Sequence, residues 1–168
     1  MTRAASILAG SALVVLAACG GKKSADLPKP APSLTVTMRQ VPEESILMAD
    51  NANAFGTDSI RQVIRDSIEF KRVWERAVSR SSVKPERPAV DFTKEMVILA
   101  AAGRMKPGDV IHIDSVGTKG SLTVIVVRTT IACQSIATSA YPFELTKVAR
   151  NNGDDTFREH VMRAPECQ

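Results

Sequence analysis

Hydrophobic positions along the chain follow two different periods, and the switches between them mark the predicted elements. In residues 34–41 (LTVTMRQV) Leu34, Val36 and Met38 alternate with polar neighbours, which predicts a strand or the last extended piece of a linker. Residues 42–59 show no clear period, and the turn-rich ADNANAFGTDS at 49–59 predicts a loop. IRQVIR at 60–65 predicts a short strand. Asp66 then sits at an N-cap position, and Glu69 three residues later completes a capping-box pattern. Phe70, Val73, Trp74 and Ala77 recur at helical spacing, with Lys71, Arg72, Glu75 and Arg76 on the opposite face. This predicts an amphipathic helix anchored in the core by Trp74.

After Pro85 and Pro88 the pattern becomes β. Asp91 and Phe92 read as a turn entering a strand, with the Asp capping backbone amides and the Phe filling the core. EMVILAAAG (95–103) is a near-continuous apolar run, as for a strand buried on both faces. DVIHIDSV (109–116) alternates, Gly117 to Gly120 reads as a four-residue turn, and SLTVIVVRTT (121–130) returns as the second arm of a hairpin. YPFELTKVAR (141–150) predicts a strand with Phe143, Leu145 and Lys147 on one face. TFREHVM (156–162) predicts a last one. Five or six antiparallel strands and one helix make a mainly β (α+β) fold, a small antiparallel sandwich or open barrel. Edge protection then falls to the helix and to a disulfide.

The N-terminus changes the picture of where such a domain works. Arg3 precedes an apolar stretch from Ala4 to Ala18, shorter than the ~20 residues that span a bilayer. It ends in Leu16-Ala17-Ala18-Cys19, the lipobox read by lipoprotein-processing enzymes. Residues 1–18 are therefore expected to be a lipoprotein signal peptide, and Cys19 the residue that takes diacylglycerol. Two or more acyl chains anchor stably. Gly20, with no Asp after Cys19, matches an outer-membrane sorting context in a diderm cell. Cys19 and the Gly-, Lys- and Pro-rich residues up to 33 form a linker, and 34–168 a single globular domain. The expected location is the bacterial cell envelope, facing the periplasm or the surface.

Charge and cysteines narrow the partners. The net charge is +4, with the basic residues interleaved and only one Trp and one Tyr available for stacking. Nucleic acid is therefore not an expected partner. Three cysteines are present. Lipidation consumes Cys19, which leaves Cys133 and Cys167 to pair in an oxidising compartment. They lie 34 residues apart, and closing that loop stabilises by roughly 3–4 kcal/mol in the chain-entropy model. The alternatives are two free thiols or bridges between chains.

Pro88, Val90, Asp91 and Phe92, then Gly103 and Lys106-Pro107-Gly108, then Ser139-Ala140-Tyr141-Pro142-Phe143, follow a helix that carries Trp74. This order resembles the C-terminal domain of the protease-complex-subunit PrcB family, over roughly 60–150. The turn departs from the family's, which carries an aromatic: here it reads Met105-Lys106-Pro107-Gly108-Asp109. The resemblance implies a non-catalytic accessory role beside a protease.

No residue pattern points to catalysis. His112 and Asp114 share a face of an alternating strand and read as a solvated pair. His160 lies in the last strand, and whether it meets His112 is open. No G-x-S-x-G, S-x-x-K, Cys-x-x-Cys or phosphate-binding glycine loop occurs. No cofactor is expected. The expected function is a tethered, non-enzymatic protein-binding module whose contact loop is Met105, Lys106, Pro107, Gly108 and Asp109. A protease inhibitor using the same loop, and a small metal-dependent hydrolase built on His112 and His160, are the alternatives. Changing Cys19 to Ala should leave an unlipidated precursor on labelling with radioactive palmitate; a normally processed, labelled product would place the anchor elsewhere.

Overall fold

The computed structural model describes residues 35–133 and 137–167, so Cys19, the signal segment and the linker lie outside the described residues. The described residues belong to one compact unit, and none of their helices is long and apolar enough to cross a membrane.

The described residues form two four-stranded sheets and one α-helix, in three layers. The first sheet has the order β1 (Thr37–Gln40), β5 (Val110–Lys119), β6 (Leu122–Ile131), β8 (Asp155–Arg163). The second has the order β2 (Ile46–Asp50), β7 (Phe143–Ala149), β4 (Glu95–Ala101), β3 (Ile60–Ile64). The helix α1 (Ser67–Ala77) packs on the outer face of the second sheet. The expected small β-sandwich with one helix is therefore what the chain builds.

The apolar run in β4 dictates the layering. Val97, Leu99 and Ala101 point to Phe70, Trp74 and Ala77 of α1, together with Phe143 and Leu145 of β7. Ile98 and Ala100 point the other way, onto Ile111, Ile113, Ile125 and Val127 of the first sheet. A strand side chain reverses face at each residue, so a strand apolar at every position needs two covering layers. Burying an aromatic of this size stabilises by a few kcal/mol. Helix α1 begins as its sequence predicts, with Asp66 accepting from the amides of Ile68 and Glu69. Glu69, however, accepts from Gln62 Nε2 (2.5 Å) rather than closing the capping box. Asp91 accepts from the amide and hydroxyl of Thr93 (3.0 and 2.6 Å). These bonds, the hydroxyl's foremost, hold its carboxyl below the usual range. Phe92 stacks at 5.7 Å on Phe70.

Several expectations need correction. Residues 46–50, which show no clear period and of which 49 and 50 were expected in a loop, form β2, an edge strand whose Ile46–Met48 bulge breaks the alternation. The hairpin turn is only Gly120-Ser121; Gly117 lies inside β5, paired with Met38, and a Cβ there would sit 2.6 Å from Met38 Sδ. β8 runs parallel to β6. The chain leaves β6 for the second sheet, runs back as β7, and returns beside β6 in its original direction. Alternation marks each strand but does not say which sheet it joins. The helix covers a face, not an edge.

Two bidentate Arg–carboxylate pairs tie β3 to β8 where the sheets stack. Arg61 reaches Glu159 at 2.7 and 3.0 Å, and Arg65 reaches Asp155 at 2.8 and 2.7 Å. Such partly exposed pairs contribute about 0–1 kcal/mol each and serve mainly to set the sheet-to-sheet register. Replacing Trp74, 4% exposed against Phe70, with Ala should destabilise the fold by about 3–5 kcal/mol, read as a lowered urea midpoint at unchanged slope.

Candidate functional site

The chain passes from β4 to β5 through the turn that holds Lys106. The corner at Gly103 has φ 74°, and a Cβ there would lie 2.4 Å from Thr57 O, so the sharp approach admits only glycine. Met105 then pairs with Ala140 in a two-bond antiparallel bridge, N–H to O at 2.9 Å and back at 3.0 Å.

Asp109 closes the turn from beneath. It is 3% exposed. Its Oδ2 accepts from the Lys106 amide (3.0 Å) and its Oδ1 from the Ala132 amide (2.8 Å). The Asp109 amide donates back to Lys106 O at 3.1 Å. The five-residue contact loop expected from sequence is therefore divided. Lys106 and Gly108 are exposed, Met105 and Pro107 half-buried, and Asp109 is an internal clamp that cannot touch a partner. Of the five, only Asp109 is fully withdrawn, and Lys106-Pro107-Gly108 form the tip.

The clamp reaches the disulfide. Ala132 adjoins Cys133, which is bonded to Cys167 with Cα atoms 5.2 Å apart. The last turn is also held by the amide of Ala164 donating to Ile131 O at 2.9 Å. A groove of about 370 Å³ lies between Lys106, Ala132, Arg163 and the two cysteines. Sequence spacing gave no sign that Arg163 and Lys106 border one groove, because the parallel placement of β8 brings them there.

The histidines fall differently from expectation. His112 does not form a solvated pair with Asp114: a bulge between Ile113 and Ser115 separates their roles. Asp114 Oδ1 lies 2.9 Å from Arg128 Nε as an ion contact outside hydrogen-bond alignment. His112 Nδ1 is hydrogen-bonded to Glu144 Oε2 at 2.7 Å. Glu144 is 2% exposed, and its Oε1 accepts from the Ile113 amide (3.2 Å) and the Thr146 hydroxyl (2.6 Å). β1 pairs with β5 as far as Ser115, and the Val41 amide adds one further bond to Asp114 O at 3.0 Å. Beyond that, the Glu144 carboxylate takes the amide that a longer β1 would have taken, and pins the second sheet to the first.

His112 and His160 lie in one register row of the first sheet but are separated by Arg128, the partner of each. Among the described residues, no group of three or more His, Cys, Asp or Glu side chains is placed to hold a metal. A cleft of about 600 Å³ opens between the sheets beside β1, and no carboxylate, imidazole or thiol lines it.

The fold and site define a two-sheet, helix-backed β-sandwich with a clamped β4–β5 turn. No protein-family model matches this chain, and neither does any curated protein or solved structure.

Asp109→Ala leaves the Ala132 amide and the part-buried Lys106 amide without their acceptor. It should cost about 2–3 kcal/mol, measured by chemical denaturation. Asp109→Asn keeps one side-chain oxygen and should lose less.

Proposed function

We propose that this chain is a lipid-tethered, non-enzymatic accessory module of the bacterial cell envelope that binds a protein partner through the Lys106-Pro107-Gly108 tip. The observation that carries this reading is the clamp itself. A buried carboxylate, a two-bond bridge and an adjacent disulfide hold a short exposed tip in one conformation. Ordering a loop before the encounter removes an entropy cost from binding, and binding residues commonly sit on loops held by a rigid scaffold. The lipobox at Cys19 supports the tether. The resemblance to the PrcB C-terminal domain supports a protease complex as the partner's class, and the tip's lack of the family's aromatic implies its own contact chemistry.

A photoreactive residue in place of Lys106, expressed in the native host, should trap one protein. The same residue in place of Lys71, on the exposed face of α1, should not. Equal labelling from both sites, or none, counts against the tip. If the trapped protein is a protease, its activity on adding this chain separates the roles: a rise fits an accessory subunit and a fall fits an inhibitor.

A further inference from the structure

β1 is an outermost strand of the first sheet and pairs with β5 alone. Val41, directly after it, is buried in the core between the two sheets. Strand faces alternate, so Thr37 and Arg39 lie on that same inner face. Arg39 pairs with Val116, which packs on the same core. The inner face of a sandwich strand is ordinarily covered by the facing sheet. Thr37 and Arg39 are nevertheless exposed. The second sheet does not cover them, and the cleft of about 600 Å³ occupies that space.

The cleft combines an apolar floor with one uncommitted charge. Val41, Val116 and Val148 line it and belong to, or pack on, the inter-sheet core. Lys147 lines it too, but its ammonium is held by Glu95 at 3.1 Å. The Arg39 guanidinium has no hydrogen bond or ion pair among the described residues. Glu43, Glu44 and Lys119 adjoin lining residues in sequence. None of the three lines the cleft, and all are exposed, where solvent and salt screen them.

An inward charge on an edge strand can also serve only to deter pairing with another chain. That role needs no cleft, whereas this one falls within the roughly 300–1,000 Å³ of small-molecule sites. A guanidinium takes a carboxylate in a bidentate fork. One uncommitted cation balances one negative charge, which a carboxylate carries and a phosphate monoester, at about −1.5 to −2, exceeds. The three valines beneath it call for an apolar body attached to that charge.

We infer that the cleft beside β1 binds a small amphipathic carboxylate of the single-chain fatty-acid class, its carboxylate on Arg39 and its hydrocarbon chain on Val41, Val116 and Val148. The head is fixed by the charge-assisted fork and the tail by removal of apolar surface from water. The cleft shares no lining residue with the groove at Lys106. The inference therefore stands apart from the reading of the tip as a protein contact and goes beyond it.

The test uses the full chain carrying Cys19→Ala, so that no covalent lipid competes, with the valine methyl groups followed by NMR. Decanoate should shift the methyl resonances of Val41, Val116 and Val148 saturably at millimolar concentration or below. Octanoate should bind more weakly, by about two- to fourfold for each methylene removed. Decanol and decylammonium should bind about tenfold or more weakly than decanoate, because neither brings an anion to Arg39. Arg39→Gln, at an exposed position, should weaken decanoate by roughly tenfold and leave decanol unchanged. The inference is overturned by the absence of a saturable shift at those three valines, or by equal shifts at the exposed Val110 and Val161, which do not line the cleft. It is overturned equally by decanol or decylammonium binding as tightly as decanoate. Undiminished decanoate affinity in Arg39→Gln would also overturn it and leave Arg39 as the guard of an edge strand.

Discussion

Met96, Ile98 and Ala100 face one apolar layer while Val97, Leu99 and Ala101 face another. That double burial of β4 constrains every other layer. One face needs the first sheet and the other needs Phe70 and Trp74 of α1, so neither a single sheet nor a sandwich without the helix would bury the strand. Because β4 is paired on both sides by β3 and β7, it also has no edge to offer. The layer that carries the greatest apolar density is thus the one furthest from solvent and from any partner.

The two sheets are held in register by polar groups at their sides rather than by the core alone. On the β3–β8 side the ties are Arg61–Glu159 and Arg65–Asp155, partly exposed and geometrically specific. On the β5–β7 side the tie is the buried Glu144 carboxylate, satisfied by His112, Ile113 and Thr146. A buried carboxylate without donors would be strongly destabilising; here each oxygen is engaged. His112, the residue with the most familiar catalytic chemistry, is thereby committed to the architecture.

Two surface features lie outside the core: a clamped turn between the sheets and the end of β8. They approach each other near the disulfide, where Lys106, Arg163, Cys133 and Cys167 border one groove. The disulfide fixes the end of β8 next to the turn, so the two form one continuous surface. A scaffold of this kind favours binding by reducing the ordering cost on its own side.

Local pattern was enough for the helix, for β4's burial on both faces, for the β5–β6 pair and for the choice of Cys133 and Cys167 as partners. Each depends on spacing or on an odd-thiol count, which the chain carries explicitly. β2 escaped notice because its bulge interrupts alternation, and the parallel placement of β8 because alternation is the same whichever sheet a strand joins. The burial of Asp109 was invisible for a related reason: its acceptor role is set by Ala132, 23 residues away. Glu144 likewise looks like any charged residue in an alternating strand until β5 is brought beside it. The amino-acid sequence by itself determined the regularly patterned elements and the class of fold, since periodicity is local. Tertiary structure alone decided which polar side chains serve the interior and which edge stays open, because both depend on contacts between segments distant in the chain.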